Sequence, residues 1–227
     1  MKKRMLIVGA SRGIGAEMAK HFSSSGYEVI GVSRNPAREC EWIKADISTP
    51  DGIQYLITKI GQLPIDALLF SGGVWEERGF MQGFDFRKTS NLETHHIMSV
   101  NLIAPIEITK GIAKNLSLAS NPRAIYLGAI SGVEQKASSQ VAYSASKFGL
   151  RGAIQALRLA LKEEGIGFTV INPGNVATEE VLMDIQEGRF REQTPIPLSD
   201  IISATEWILS LSHTVEVGDI NLMQKNG

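Results

Sequence analysis

The sequence predicts an α/β fold in which helices cover both faces of a doubly wound parallel sheet of about seven strands. Short runs of apolar residues, typical of strands buried on both faces, alternate along the chain with longer segments of helical pattern. Such alternation favours right-handed strand–helix–strand units and therefore a parallel sheet. No repeat, linker or low-complexity segment interrupts it. The 227 residues, 43% of them hydrophobic, suffice for one large core, so we expect a single domain over residues 1–227.

The predicted elements follow one another in regular order. Strands are expected at Met5–Val8, Glu28–Val32, Trp42–Lys44, Ala67–Phe70, Ala124–Leu127, Gly167–Ile171 and Asp219–Met223. Helices are expected at Gly13–Ser24, Thr49–Gly61, Leu92–Leu116, Gln140–Glu163 and Ser199–Leu211. The longest irregular region, from Gly72 to Asn91, separates the fourth strand from the third helix, and a connection of that length is usually functional.

A glycine-rich turn, Gly9-Ala10-Ser11-Arg12-Gly13-Ile14-Gly15, joins the first strand to the first helix. Its glycines permit a tight turn and a close approach of the backbone to a ligand. The helix that follows presents free N–H groups and the positive end of its dipole, so the segment predicts an anion-binding site. The spacing differs from the more widespread G-x-G-x-x-G pattern. A turn of the same composition that binds no ligand is the alternative.

Tyr143 and Lys147 lie four residues apart on a predicted helix and therefore share one of its faces. A phenol ordinarily titrates near a pKa of about 10, and a neighbouring cation favours the phenolate. We therefore expect Lys147 to lower the pKa of Tyr143 toward neutrality, which would make the phenol a usable proton donor and acceptor. A surface Tyr–Lys pair has the same spacing, so the interpretation depends on the glycine-rich turn in the same chain.

Five motifs in the same order resemble the pattern of the short-chain dehydrogenase/reductase family, over essentially the whole chain. The matching segments are Val8–Gly15 for the TGxxxGxG motif, Asp46 after the third strand, Asn101 in a long helix, Tyr143 with Lys147 for YxxxK, and Pro173–Thr178 for PGxVxT. Val8 replaces the usual threonine of the first motif. The resemblance implies a Rossmann-type sheet with strand order 3-2-1-4-5-6-7 and a nicotinamide dinucleotide bound beyond the carboxyl ends of its strands.

The resemblance also implies roles for individual residues. Tyr143 would exchange a proton with the substrate, Lys147 would also bind the nicotinamide ribose, and Asn101 would hold a water that relays protons to Lys147. An asparagine is unfavourable in mid-helix, which supports a special role for Asn101. The expected cofactor contacts are Gly9, Ser11, Arg12, Gly13, Ile14, Gly15, Ser33, Arg34, Asp46, Ile47, Ser71, Gly72, Gly73, Tyr143, Lys147, Pro173, Gly174, Val176 and Thr178.

The end of the second strand predicts the cofactor. Enzymes that prefer NAD(H) usually place an acid there to bind the ribose hydroxyls, whereas this chain has Ser33 followed by Arg34. Arg12 of the glycine-rich turn is expected near the same ribose. Two guanidinium groups without an acid favour a 2′-phosphate, so we expect NADP(H) rather than NAD(H). Two solvated surface arginines are the alternative, and Asp46 either caps the adenine or serves a turn before the next helix.

Two segments depart from the family pattern. The fourth strand normally ends in Asn-Asn-Ala-Gly, whereas this chain has Phe70-Ser71-Gly72-Gly73. The family's catalytic serine aligns with Ala129, and counting back thirteen residues from Tyr143 reaches Ile130. Ser131 could take over the role only if the loop is remodelled. Ser131 is therefore a candidate substrate contact, and Glu134 is another because it lies in the loop before Tyr143.

Composition and charge exclude several function classes. The net charge of −1 predicts no binding to nucleic acid or to an anionic membrane. Cys40 is the only cysteine, which suits a reducing compartment. The apolar run after Lys2-Lys3-Arg4 ends at Gly9 and is too short for a signal peptide, so we expect a cytoplasmic protein. No pattern of ligand residues predicts a metal site, and His95 and His96 are expected on a helix surface.

The sequence as a whole predicts an NADP(H)-dependent oxidoreductase that interconverts a carbonyl and an alcohol on a small-molecule substrate. The alternative is a catalytically weak NADP(H)-binding sensor or partner-dependent protein, favoured by Ala129 and by the altered end of the fourth strand. The resemblance implies that Val181–Ile196 is a variable substrate lid. It also implies a homodimer or homotetramer joined through Leu92–Leu116 and Gln140–Glu163, the second of which carries more apolar positions than one buried face requires.

Overall fold

A seven-stranded parallel sheet forms the centre of the computed structural model, which describes residues 2–81, 83–190 and 192–225. The strands are β1 Arg4–Val8, β2 Glu28–Ser33, β3 Glu41–Lys44, β4 Ala67–Phe70, β5 Arg123–Leu127, β6 Gly167–Pro173 and β7 Asp219–Leu222. Their order in the sheet is β3-β2-β1-β4-β5-β6-β7. The predicted order is therefore confirmed, and it reverses at β1, which pairs with β2 on one side and β4 on the other.

Helices cover both faces of the sheet. They are α1 Gly13–Ser24, α2 Pro50–Ile60, α3 Asn91–Met98, α4 Ala104–Ser117, α5 Val141–Ala160, α6 Glu179–Gln186 and α7 Leu198–Ser210. One buried cluster contains Ile53, Ile108 and Ile154 of α2, α4 and α5, and the other contains Met18 and Ile201 of α1 and α7. Burial of both faces explains why the central strands β1 and β4 are continuous apolar runs.

Two features of the helices differ from the sequence prediction. The single helix expected at Leu92–Leu116 is divided by one π-helical segment, Ser99–Ile103, which separates α3 from α4. Helix α6 was expected only as part of a variable lid. Its first turn is capped by Thr178, whose hydroxyl accepts a hydrogen bond from the backbone of Val181 at 3.3 Å. Within the described ranges, no helix is both long and apolar enough to cross a membrane.

Candidate active site

A cavity of about 490 Å³ lies beyond the carboxyl ends of the strands, on both sides of β1, where the strand order reverses. Parallel strands place the loops that follow them at one edge of the sheet, and the reversal of order opens a crevice there. Of the predicted cofactor contacts, the cavity wall includes Gly9, Ser11, Arg12, Gly13, Ile14, Ser33, Arg34, Asp46, Ile47, Ser71, Gly72, Gly73, Tyr143, Lys147, Pro173, Gly174, Val176 and Thr178. Gly15 and Asn101 are placed behind the wall rather than in it.

The glycine-rich turn is tightly packed against the end of β4. Gly9 has a φ of +91°, and a Cβ atom there would lie 2.6 Å from the backbone nitrogen of Gly72. A Cβ atom on Gly15 would lie 2.1 Å from the carbonyl oxygen of Gly9, so Gly15 supports the turn from beneath. Ser71 donates a hydrogen bond to the carbonyl of Val8 at 2.9 Å. A serine therefore joins the turn to β4 where the family pattern has an asparagine.

The first turn of α1 has free hydrogen-bond donors. Its N-cap residue, Arg12, has extended backbone and gives no side-chain cap, and the turn contains no acidic residue. By contrast, Thr49 caps α2 and Ser90 caps α3 through their side chains. An uncapped helix start presents N–H groups and a positive dipole end to any anion in the cavity.

The two predicted 2′-phosphate ligands, Arg12 and Arg34, both line the cavity, but each has a carboxylate nearby. Arg12 pairs with Glu180 of α6 at 3.6 Å, with its own side chain 72% exposed. The charge of Arg34 acts on Asp46. A surface ion pair of this kind contributes little, so Arg12 remains available to another anion. The second strand supplies no acid at this position: it ends in Ser33, whose hydroxyl donates to the carbonyl of Asn35 at 2.7 Å.

Asp46 both lines the cavity and forms a turn. Its carboxylate accepts hydrogen bonds from the backbone of Ser48 at 3.0 Å and from the Ser48 hydroxyl at 2.7 Å. Burial raises the pKa of Asp46, but these hydrogen bonds outweigh it and leave the pKa below its usual value. His96, expected on a helix surface, also lines the cavity, and its charge acts on Asp46.

The structure corrects the expected relation between Tyr143 and Lys147. Burial among protein atoms raises the pKa of Tyr143 to about 12; the Ser131 hydroxyl opposes that rise and the charge of Glu76 adds to it. Burial also lowers the pKa of Lys147 to about 8. The Lys147 ammonium lies 5.7 Å from the centre of the Tyr143 ring and donates to the carbonyl of Leu127 at 2.9 Å. The predicted lowering of the Tyr143 pKa was wrong, because loss of water around the phenol outweighs a cation directed elsewhere.

Asn101 lies in the π-helical segment between α3 and α4 and is buried, with 1% of its surface exposed. Its amide bonds both backbone groups of Val74: Oδ1 accepts from the nitrogen at 2.9 Å and Nδ2 donates to the oxygen at 2.7 Å. Nδ2 also donates to the Ser146 hydroxyl at 3.0 Å. π-Helical turns often occur at functional sites. In this turn Asn101 links the loop after β4 to α5 through its hydrogen bonds with Val74 and Ser146. The predicted role of Asn101 in holding a water that relays protons stays a prediction.

The candidate substrate contacts have different positions. Ala129 borders the cavity, whereas Ser131 lies in the short 3-10 turn Ile130–Gly132 and is not one of the residues that line it. The Ser131 hydroxyl is buried without a well-oriented hydrogen-bond partner among the described residues, although it is close enough to lower the pKa of Tyr143. Glu134 lies outside the cavity wall and pairs with Arg151 at 3.1 Å, with its side chain 73% exposed. Its predicted role in substrate binding therefore lacks structural support.

An aromatic wall in the same cavity as Tyr143 was not predicted as a unit. Trp75 and Phe80, from the loop after β4, meet edge to face with ring centres 5.6 Å apart. Phe80 meets Phe190, which follows α6, with centres 4.7 Å apart. All three line the cavity. The length of the loop after β4 indicated function, but no local pattern in the sequence links it to Phe190.

The cavity fits a nicotinamide dinucleotide. The uncapped start of α1 and the turn at Gly9 suit a pyrophosphate, and two arginines lie at the ribose end. At the other end Gly73 leaves space beside the reactive groups. A Cβ atom on Gly73 would lie 3.5 Å from the Lys147 nitrogen and 3.7 Å from Asn101 Oδ1.

Comparisons with known proteins agree with this geometry. A family model described as short chain dehydrogenase matches residues 3–188. Protein FixR from Bradyrhizobium diazoefficiens is 29% identical over 203 residues, which cover 81% of this chain and 70% of FixR. The 3-oxoacyl-(acyl-carrier-protein) reductase FabG from Escherichia coli is 26% identical over 209 residues, covering 85% of this chain and 82% of that protein. A solved structure described as ElxO with NADP bound has a TM-score of 0.84 at 17% identity and covers 98% of both chains, a likeness of fold.

Proposed function

The chain belongs to the short-chain dehydrogenase family, and from that premise we propose that it is an NADP(H)-dependent oxidoreductase that interconverts a carbonyl and an alcohol. The observation that carries the proposal is the position of Tyr143 and Lys147 on one face of α5, in the wall of a cavity whose other end is the glycine-rich turn. A proton-exchanging phenol and a dinucleotide cradle in one cavity are what hydride transfer to a carbonyl requires.

The residues have separate tasks in this proposal. A nicotinamide dinucleotide held in the cavity would supply or accept the hydride. Tyr143 donates a proton to the substrate oxygen in reduction and accepts it in oxidation. Lys147, with its pKa lowered to about 8, exchanges protons readily near neutral pH, and it would also hold the nicotinamide ribose. Asn101 holds the loop at Val74 in place, and by family resemblance it would complete the proton path to Lys147. The backbone at Pro173 and Gly174, together with Thr178, would orient the carboxamide of the nicotinamide.

A substrate panel tests the function. Purified protein is mixed with NADPH or NADH and with aldehydes, ketones and quinones, and nucleotide absorbance is followed. We expect NADPH-dependent reduction of at least one member, above the rate of a Lys147→Ala control. Apolar and aromatic carbonyls should be reduced fastest, because Trp75, Phe80 and Phe190 line the same cavity as Tyr143.

Nucleotide preference gives a second test. We expect Arg34→Asp to weaken NADPH binding by about 10- to 100-fold and to reverse the preference for NADPH over NADH, because it replaces attraction to the 2′-phosphate by repulsion. Fluorescence titration of both nucleotides measures the change. Arg38→Asp makes the same charge change at an exposed position outside the cavity wall and should have little effect. Equal affinity of the unmodified protein for the two nucleotides would contradict the NADP(H) assignment.

The position of Ala129 predicts that a serine introduced there would increase activity. Ala129 is 7% exposed and borders the cavity, so a serine hydroxyl there would face the substrate oxygen. We expect Ala129→Ser to raise kcat on generic ketones by up to about 100-fold, since one donor to a developing oxyanion contributes a few kcal/mol. The paired variant Ser131→Ala shows whether Ser131 already supplies that donor. No gain from the first variant and no loss from the second would mean that catalysis uses no serine here.

A catalytically weak sensor of NADP(H) is the second candidate function. Two observations favour it: the alanine at the cavity wall and the end of β4, where Ser71 replaces an amide side chain. The sensor would bind NADPH tightly but show no turnover on any carbonyl in the panel. Tight binding with no turnover even after Ala129→Ser would make it the better proposal.

We also propose that the protein acts on a small molecule in the cytoplasm as a homodimer or homotetramer, independently of nucleic acid and membranes. Apolar side chains remain exposed on the helices expected to pair, including Leu92 at 83% and Leu159 at 77%. We expect light scattering at micromolar concentration to give a mass of at least twice the 24.7 kDa chain. A monomer mass would refute this expectation.

A further inference from the structure

Glu76 is a buried acid that the proposed reaction leaves without a task. It lies in the loop after β4 with 2% of its surface exposed. One carboxylate oxygen, Oε1, accepts hydrogen bonds from the backbone nitrogens of Ala142 at 2.8 Å and Tyr143 at 3.3 Å. The other oxygen, Oε2, is buried without a hydrogen-bond partner among the described residues. Burial of a carboxylate costs free energy unless hydrogen bonds or ion pairs compensate for the lost water, so the burial of Glu76 needs an explanation.

The helix that Glu76 contacts lacks a cap of its own. The N-cap residue of α5, Gln140, makes no capping hydrogen bond through its side chain, and the first turn contains no acidic residue. The Gln140 side chain instead accepts a hydrogen bond from Ser138 at 3.1 Å. Glu76 supplies both missing functions from a distant part of the chain. Its oxygen satisfies two first-turn N–H groups, and its charge complements the positive end of the helix dipole.

The position of Glu76 joins three parts of the site. Two residues before it, Val74 is held through its backbone by Asn101. The residue directly before it, Trp75, lines the cavity. The amide it binds at 3.3 Å belongs to Tyr143 itself. The loop, the cavity wall and the start of the helix that carries Tyr143 are therefore connected through one side chain.

We propose that Glu76 is a positioning residue that caps α5 from the loop after β4 and holds Tyr143 at the reaction centre. The proposal rests on the acid/base role of Tyr143 given above. The negative charge of Glu76 contributes to the raised pKa of Tyr143, after burial, which is the larger cause. Glu76 thus fixes the position of the Tyr143 phenol, and its charge favours the protonated form of that phenol.

The other charged groups around Tyr143 are one lysine on α5 and two ion-paired carboxylates on α6. Lys147 of α5 lies 5.7 Å from its ring centre. On α6, Asp184 is paired with Arg189 and Glu180 with Arg12. The segment after β5 contributes Ala129 and Ser131, which carry no charge. Among the described groups, Glu76 is the negative charge that acts on the phenol.

The test uses variants that separate the cap from the charge. Glu76→Gln keeps an oxygen acceptor near the helix start and removes the charge, whereas Glu76→Ala removes both. Glu77→Gln is the matched control, because it makes the same change at the adjacent, exposed glutamate. All proteins are measured with saturating NADP⁺, and nucleotide affinity reports whether each variant is folded.

The first readout is the titration of Tyr143 by phenolate absorbance in rapid pH jumps, with the matching Tyr143→Phe background subtracted from each protein. We expect Glu76→Gln to move the titration of Tyr143 to lower pH, since removal of a nearby negative charge favours phenolate. Glu77→Gln should leave it unchanged. Where an alcohol substrate is available, the rise of the oxidation rate with pH should move in the same direction, because the base is then available at lower pH.

The second readout is hydrogen exchange of peptides that cover residues 138–147. We expect exchange of the Ala142 and Tyr143 amides to accelerate by about tenfold in Glu76→Ala, since their acceptor is lost. Glu77→Gln should not change it. If Glu76→Ala does not fold, the titration of Glu76→Gln still decides the matter. An unchanged titration in Glu76→Gln, or unchanged exchange in a folded Glu76→Ala, overturns the proposal. Absence of turnover in the unmodified protein would instead count against the proposed function, because neither readout depends on turnover.

Discussion

Replacing Tyr143 with phenylalanine is expected to lower kcat by about 1,000-fold or more while the Kd for NADPH stays within about twofold. The change removes the only atom of the side chain that can exchange a proton and retains the ring. The ring contributes to the cavity wall and lies near the Lys147 ammonium, so both the space for the nucleotide and the position of Lys147 should persist. Loss of turnover with unchanged nucleotide binding would mean that the Tyr143 hydroxyl acts in the chemical step and not in binding the nucleotide.

Steady-state kinetics and nucleotide titration on the same preparations measure the two quantities. Tyr55→Phe is the control, because Tyr55 is 48% exposed on α2 and lies outside the cavity wall. Lys147→Ala should impair both turnover and nucleotide binding, since Lys147 lies beside both Tyr143 and the space at Gly73. If Tyr143→Phe kept full activity on an authentic substrate, the proton transfer would belong to another group and the central mechanism would be wrong.

Replacing Gly9 with alanine is expected to lower the free energy of unfolding by about 3–5 kcal/mol and to abolish nucleotide binding. Two costs combine at this position. A φ of +91° is unfavourable for a residue with a Cβ atom, and that atom would lie 2.6 Å from the backbone nitrogen of Gly72. The nitrogen belongs to backbone that lines the cavity, so relief of the collision must move the turn or the end of β4.

Gly26→Ala separates the two costs. Gly26 has nearly the same φ, +92°, but nothing lies within 4 Å of the added Cβ atom. Gly26→Ala should therefore lower the free energy of unfolding by only about 1–2 kcal/mol, the cost of the backbone conformation alone. The variant should bind NADPH normally. Thermal unfolding and nucleotide titration of the two variants provide the comparison. Equal destabilisation by both changes would mean that the contact between the turn and β4 contributes nothing measurable.

Much of the fold was predictable because its signals are local. Apolar runs located every strand to within two residues at each end, and β4 and α1 agree with the structure at both ends. The division between α3 and α4 was not predicted. Within the π-helical segment that divides them, Asn101 bonds Val74 from a different part of the chain. Helix periodicity continues across Ser99–Ile103 and gives no sign of it.

The dinucleotide end of the candidate site was more predictable from the sequence than the substrate end. The dinucleotide end consists of backbone turns at fixed spacing, and the residues expected there line the cavity, except Gly15, which packs beneath the turn. The substrate end is formed by side chains from separate loops, such as Trp75 and Phe190. Phe80 contacts both of these rings, and no spacing in the chain predicts such contacts.

The sequence by itself located the strands through local periodicity. Its short motifs carried the family resemblance, which implied the strand order and marked Tyr143 and Lys147 as the candidate pair for proton exchange. The tertiary structure decided how that pair is tuned. Four residues of separation placed Lys147 near Tyr143, but burial, which only the packed fold creates, raised the pKa of Tyr143 to about 12 and lowered that of Lys147 to about 8. It also brought Glu76 to the start of α5, 67 residues along the chain from Tyr143. Desolvation and long-range contacts are properties of the folded chain, and they set the electrostatics of the site.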